Sequence, residues 1–306
     1  MQIEYIETAG GDEENGSGAG RTLRQDAWRR LRKNKLALAG LVWVIIVIII
    51  AASADLWVPR YFGSPTDFST TTMAQRSLLS PSPAHPFGTD KLGRDILSRT
   101  IYGARPSLEV GVVAVLISII IGLILGALAA YYGGWWDSIV MRAADVFLSF
   151  PYILFAIILI ALLGFGILNL FLAIGVLAWP SIARVFRSSI LSVKENEYVD
   201  AARAMGASTP RILFRHIMPN AVAPIVVYGT MSVGGAILAE AALSFLGMGV
   251  QPPAPSWGNM VSEARTYLFT APWILIFPGI ALFLTVLGFV LLGDGLRDAL
   301  DVKLKE

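Results

Sequence analysis

The sequence predicts an all-α membrane protein with six transmembrane helices. Three observations carry that expectation. First, 55% of the 306 residues are apolar and only 15% are charged, where a soluble domain carries roughly 25% charged residues. Second, the charges are missing from five long runs: 36–54, 110–136, 146–183, 217–239 and 266–293. Third, crossing a bilayer takes about 20 apolar residues, so four runs hold one helix each and 146–183 holds two. Gly164-Phe165-Gly166 and Asn169 mark the turn inside that longer run. Runs of this length argue against a soluble protein with an oversized core.

Composition also excludes several functions. Lys+Arg number 24 against 22 Asp+Glu, so no excess positive charge is available for nucleic acid. There is no cysteine, hence no disulfide, thiolate nucleophile or Cys-ligated metal. Two histidines far apart, His85 and His216, leave little for a histidine metal site. None of the lysines follows a glycine, so the chain has no Gly-Lys-Ser/Thr phosphate loop.

Along the chain, residues 1–20 are rich in Gly, Glu and Asp and read as disordered. Arg21, Arg24, Arg29, Arg30, Arg32, Lys33 and Lys35 precede the first span. By the positive-inside rule residues 1–35 are a cytoplasmic tail. Ala52-Ser53-Ala54 imitates a signal-peptide cleavage site. The apolar run 36–54 exceeds the roughly 7–15 residues of a signal peptide's apolar core, so it is expected to remain as the first transmembrane helix. Residues 55–106 form an extracytoplasmic loop. Thr89 or Asp90 can cap a short amphipathic helix there, with Ile96, Leu97 and Ile101 on its apolar side. Such a helix lies on the membrane face or, less simply, meets an external partner. Five further helices fill 107–293, and 294–306 is a cytoplasmic tail.

The loop between spans four and five, 192–218, differs from the others. Helix formers run to Met205, and Gly206 suits a left-handed stop. Thr209 is placed to cap a second short helix with Pro210 at its first position. That helix ends near Pro219. Ala201 and Ala202 leave one face of the first helix nearly bare, so another surface can approach its backbone. The pair reads either as an interfacial helix pair or as a cytoplasmic docking knob.

Asp200-Ala201-Ala202, Gly206 and Pro219 resemble the "EAA" loop of binding-protein-dependent ABC importer permeases. Asp200 stands where the motif has Glu, His216 where it has Ile, and Met218 where it has Leu. Arg215-His216-Ile217-Met218-Pro219-Asn220 is similar to the ending found in the peptide/nickel branch. Further stretches resemble that branch in the same order along the chain. They are Gly88-Thr89-Asp90 with Gly93-Arg94-Asp95, Tyr131-Tyr132-Gly133-Gly134, Leu243-Ser244-Phe245-Leu246-Gly247, Pro252–Gly258 and Gly293–Asp301. The chain is similar to the C-type permease of dipeptide/oligopeptide importers.

The resemblance implies a type I ABC importer permease fold and half of a translocation pore in the cell membrane. It implies a homologous second permease, two ATPase subunits on the cytoplasmic side and an extracytoplasmic substrate-binding protein as partners, with membrane lipid around them. ATP and Mg would be bound by the ATPase subunits, with no cofactor, metal or catalytic residue in this chain. The residues implied to couple to an ATPase are Asp200, Ala201, Ala202, Met205, Gly206, Arg211 and Pro219. Nickel, glutathione or opines are alternative cargoes.

Two other classes compete. An intramembrane aspartyl protease needs Gly-x-Gly-Asp, but residue 291 is Leu before Gly293-Asp294. An ion-coupled transporter needs ionisable groups near the midplane and usually inverted repeats. No repeat is visible, and Glu240 is the only acidic or basic residue between Ile217 and Ser262. An acid at that depth faces the bundle interior or water. Glu240 therefore either lines the translocation path, which is slightly favoured, or hydrogen-bonds to a neighbouring helix. Asp145 is expected to pair with Arg142 one turn back. Asp294, Arg297, Asp298 and Asp301 have the spacing of a self-paired helix end.

Overall fold

A computed structural model describes residues 23–66, 73 and 75–300. The tail 1–20, Arg21, Asp301, Lys303 and Lys305 lie outside the described residues.

Part of the expected N-terminal tail is a helix, α1 (Leu23–Lys33). Leu31 is buried against Ala37 and Ala299, while Arg29, Arg32 and Lys33 face outward. Asn34 then breaks the helix: its side chain accepts from the Ala37 N–H at 3.1 Å and caps α2 (Lys35–Phe62). That cap satisfies one of the orphan donors at a helix start. α2 runs past the charge-free stretch because Arg105 supports its last turns. The guanidinium donates from Nε to the Ala51 carbonyl at 2.6 Å and pairs with Asp55 at 2.9 Å.

α3 (Ile96–Tyr132) has 37 residues, about 55 Å at 1.5 Å per residue. It is longer than the roughly 30 Å hydrocarbon core and projects beyond it. Its first turns correct one expectation. Ile96, Leu97 and Ile101 belong to α3 itself rather than to a separate amphipathic helix. The cap is Asp95, not Thr89 or Asp90: its carboxylate accepts from the Ser98 N–H at 2.9 Å. Hydropathy alone placed a boundary at 106, but Pro106 sits inside the continuous helix.

The stretch expected to hold the third span is a bent pair, α4 (Gly134–Ser149) and α5 (Tyr152–Leu163), meeting at 93°. Pro151 explains the break. Its ring disfavours helical backbone at the preceding residue, and Phe150 is extended at φ −89°, ψ 141°. The expected turn at 164–166 is present. Gly164 and Gly166 have positive φ, and the Asn169 amide donates to the Leu163 and Gly164 carbonyls at 2.8 and 3.0 Å.

α6 (Ile167–Lys194) returns along α3. The two helices approach closely because α3 carries glycine at the contact. A Cβ added to Gly126 would lie 2.7 Å from the Ala183 carbonyl oxygen. Ser118 Oγ also donates to the Gly175 carbonyl at 2.8 Å. In lipid, such close packing and cross-helix bonding drive association.

After α6 come α7 (Glu197–Ala204), α8 (Thr209–Ile212), a π-helical turn at Leu213–Ile217 and α9 (Met218–Ala221). The chain continues through α10 (Ala223–Phe245), α11 (Trp257–Ala264) and α12 (Trp273–Leu300). Five helices are long and apolar enough to cross a membrane, six if the bent pair is one span. α12 continues through the stretch expected as a tail. Asp298 accepts from the Asn34 side chain at 3.4 Å. One end of the bundle thus gathers both described termini and α7–α9; we call it the terminal end.

Candidate functional site

The α7–α9 segment is held by one apolar cluster. Val199 and Ala202 of α7 are buried with Ile212, Ile217, Phe186, Ile190 and Ala221. α7 begins with Glu197 and Asp200 in its first turn, which complements the positive end of the helix dipole. It stops at Gly206, whose φ is +79°. There the Gly206 N–H donates to the Arg203 carbonyl at 3.0 Å and the Ala207 N–H to the Ala202 carbonyl at 3.1 Å. The predicted left-handed stop is therefore present. The next cap position is Ser208 rather than Thr209, and its side chain makes no capping bond.

Pro219 shapes the join between this segment and α10. It has no N–H to return to the Arg215 carbonyl. The Met218 N–H bonds instead to Leu213, five residues back, giving the π-helical turn. The Asn220 side chain then takes the His216 carbonyl at 2.7 Å. Single π turns of this kind recur at functional sites.

The predicted residues divide across the segment. Asp200, Ala201, Met205, Gly206, Arg211 and Pro219 face outward, with Met205 82% exposed. Asp200 pairs with Arg203 at 2.9 Å on the surface, a contact of little energetic weight. Ala202 departs from the expectation. It faces inward at 3% exposure, because its helical position falls beside Val199 rather than beside Ala201. The sequence missed Tyr198 and Phe214, which are exposed on the same segment. Their aromatic character amid polar neighbours was the available signal.

Glu240 sits in α10 with no exposed surface. Ser107 Oγ donates to one carboxylate oxygen at 3.2 Å and Ser244 Oγ to the other at 2.6 Å. Ser256 also faces the carboxylate, and the Trp257 N–H reaches Ser107 Oγ at 3.4 Å. Of the two readings weighed from sequence, this geometry favours the helix contact over the path-lining position. Three serines and the start of α11 close around the acid, and their spacing along the chain could not reveal that.

Asp145 pairs with Arg184 of α6, not with Arg142. Asp137 holds Arg187 of the same helix through two bonds, at 2.5 and 2.6 Å. α4 is therefore fastened to α6 by two ion pairs near the terminal end.

The far end holds a network that the spacing did not announce. Arg94 Nε donates to Asp90 at 2.7 Å, and Arg99 pairs with the same carboxylate. Both guanidiniums also reach Glu263 of α11, at 3.3 and 3.1 Å. Asp90, Arg94 and Arg99 are all nearly fully buried. His85 contacts Asp95 at 2.8 Å. The Thr89–Arg99 stretch is an internal fastening of α3 to α11, and Glu263 lies 164 residues from Arg99.

The described residues thus form a bundle of membrane-crossing helices with a compact helical knob between two spans at one end. Residues 92–306 match the family profile described as binding-protein-dependent transport system inner membrane component. The chain belongs to that family. Residues 22–81 match a second profile, the N-terminal transmembrane domain of oligopeptide transport permease C.

Similar proteins agree. The chain is 46% identical over 281 residues to the dipeptide transport system permease protein DppC of Alkalihalophilus pseudofirmus, covering 92% of this chain and 90% of that one. It is 46% identical over 285 residues to the glutathione transport system permease protein GsiD of Pectobacterium atrosepticum, covering 93% of each. An inward-facing structure of the MetNI methionine ABC transporter aligns with a TM-score of 0.55 at 20% identity, over 67% of this chain and 97% of that chain. An amino acid ABC transporter aligns at 0.53 and 16% identity, over 65% and 92%. The fold is thus that of type I ABC importer permeases, and the protein is a multi-pass inner-membrane permease.

Proposed function

We propose that this chain forms half of the translocation pore of an ATP-driven importer of di- and oligopeptides. A homologous second permease supplies the other half. Two ATPase subunits dock at the terminal end, which faces the cytoplasm, and an extracytoplasmic binding protein delivers the cargo. ATP and Mg are bound by the ATPase subunits, and this chain contributes no catalytic residue.

The observation that carries the reading is the knob. Asp200, Ala201 and Met205 point outward from α7, while Val199 and Ala202 anchor its other face to Phe186 and Ile190 of α6. A partner that grips the outer face moves α6 and the start of α10 with it. The anchoring is rigid because Val and Ile side chains fill it, each contributing about 1.5–3 kcal/mol when fully buried. Closure of the ATPase pair then reorients the helices as bodies, which is the basis of alternating access. The excess of Lys and Arg before α2 supports the cytoplasmic placement of this end.

Peptide cargo is supported by the dipeptide permease relative. The glutathione permease relative, equally identical, favours glutathione as the second reading. The test is ATPase activity of the reconstituted complex with its binding protein. Stimulation by dipeptides and longer peptides supports the first reading, and stimulation by glutathione alone replaces it with the second. Stimulation by neither, in a complex that hydrolyses ATP, removes both.

A further inference from the structure

The terminal end of α3 carries an open apolar groove of about 490 Å³ that no helix among the described residues fills. Its size falls within the roughly 300–1,000 Å³ of small-ligand sites. Ile120, Ile124 and Tyr132 of α3 form one wall. Leu213, Phe214 and Met218, in and just after the π turn, form the other. Among the described residues, no acidic side chain lines it.

Three features define what fits. Exposed Trp135 and Trp136 come soon after Tyr131 and Tyr132, and aromatic residues of this kind collect at the membrane–water interface. The groove therefore begins just inside that interface, at acyl-chain depth. At its mouth the Lys194 ammonium lies 5.8 Å from the Tyr131 ring centroid. Arg211, exposed, is the next residue after Pro210 of the lining. An apolar slot with tyrosine hydroxyls and the Lys194 ammonium at its interfacial end fits a lipid with an anionic head group.

We propose that this groove holds one acyl chain of an anionic phospholipid, with its phosphate against Lys194. The bound chain lies directly on Leu213 and Phe214, and so braces the π turn that joins the knob to α10. The site gives the Tyr131-Tyr132-Gly133-Gly134 stretch a role in lipid recognition. It depends neither on the identity of the cargo nor on which end faces the cytoplasm.

The test uses the complete transporter complex in nanodiscs, with native mass spectrometry after addition of phosphatidylglycerol or phosphatidylcholine. Wild type should retain phosphatidylglycerol preferentially. Lys194→Gln should weaken that preference about fivefold, the worth of one cation near a membrane surface. Leu213→Trp, which fills the groove, should reduce retention of both lipids in an assembled complex. Equal retention of the two lipids by wild type would overturn the proposal, as would an unchanged preference in Lys194→Gln. A disulfide formed in high yield between a cysteine at Ile124 and one on the second permease would also overturn it, since protein would then occupy the groove. Cargo-stimulated ATPase activity is measured on the same samples, so loss of the lipid site and failure of the import reading are told apart.

Discussion

Gly206 shows how one backbone angle controls an interaction surface. Its φ of +79° is costly for a side-chain-bearing residue, by about 1–2 kcal/mol, and worst for a β-branched one. Open space surrounds it, so the cost of substitution is conformational rather than steric. Gly206→Val should leave the complex assembled but uncouple ATP hydrolysis from uptake, because α7 and α8 lose their fixed angle. Gly206→Asn, which tolerates this region, should retain coupling; equal loss in both variants would contradict the argument. Glu240 gives a second residue-level contrast. Glu240→Gln keeps the shape and hydrogen-bonding capacity that the serines use, and should be nearly silent in both stability and uptake. Glu240→Ala leaves a cavity and orphaned hydroxyls, costing about 2–3 kcal/mol. Thermal unfolding of the purified complex measures both, and a strong transport defect in Glu240→Gln at normal stability would restore the path-lining reading.

Among the elements, the fastening of α3 to α11 carries the largest single dependence. One Asp90 oxygen bonds both buried guanidiniums, whose two charges it and Glu263 balance together, and its other oxygen accepts from the backbone N–H groups of Leu92 and Arg94 at 2.8 and 2.9 Å. Removing one member of such a group leaves buried charge uncompensated, at about 3–5 kcal/mol. Asp90→Asn should therefore sharply lower the yield of folded complex. Glu263 is about a quarter exposed, so Glu263→Gln should cost less, water replacing part of what is lost. Adding Arg99→Met to Asp90→Asn should recover part of the stability, read as melting temperature in detergent. No recovery would mean that the network is not held by charge balance. The expected separate amphipathic helix was a misreading at this same place. Apolar spacing at Ile96, Leu97 and Ile101 was correctly seen, but periodicity cannot tell a short helix from the first turns of a long one.

At the scale of the whole molecule, both described termini and the α7–α9 knob share one end, and the Asp90 network occupies the other. The native chain lacks cysteine, so introduced thiols report topology cleanly. A cysteine at exposed Lys91 should react with a membrane-impermeant maleimide in intact cells. One at exposed Ser208 should react only after permeabilisation. Labelling of position 208 in sealed cells would invert the orientation and remove the ATPase-docking reading with it.

The amino-acid sequence by itself determined the class, the five long membrane-crossing helices and the two-helix form of the knob. Lipid imposes a length requirement on apolar runs, and Gly206, Pro210 and Pro219 constrain the backbone locally, so each of these is written in consecutive residues. Tertiary structure decided the partners of the buried polar groups. Glu240 faces three serines, and Asp90 shares its arginines with Glu263. A charge in a low-dielectric interior takes whichever counter-group the packing brings within about 3 Å. That group lies on another helix, at a distance in sequence that no spacing rule encodes. The inward turn of Ala202 and the groove between α3 and the π turn have the same cause: which face of a helix is covered depends on its neighbours, and only the assembled bundle supplies them.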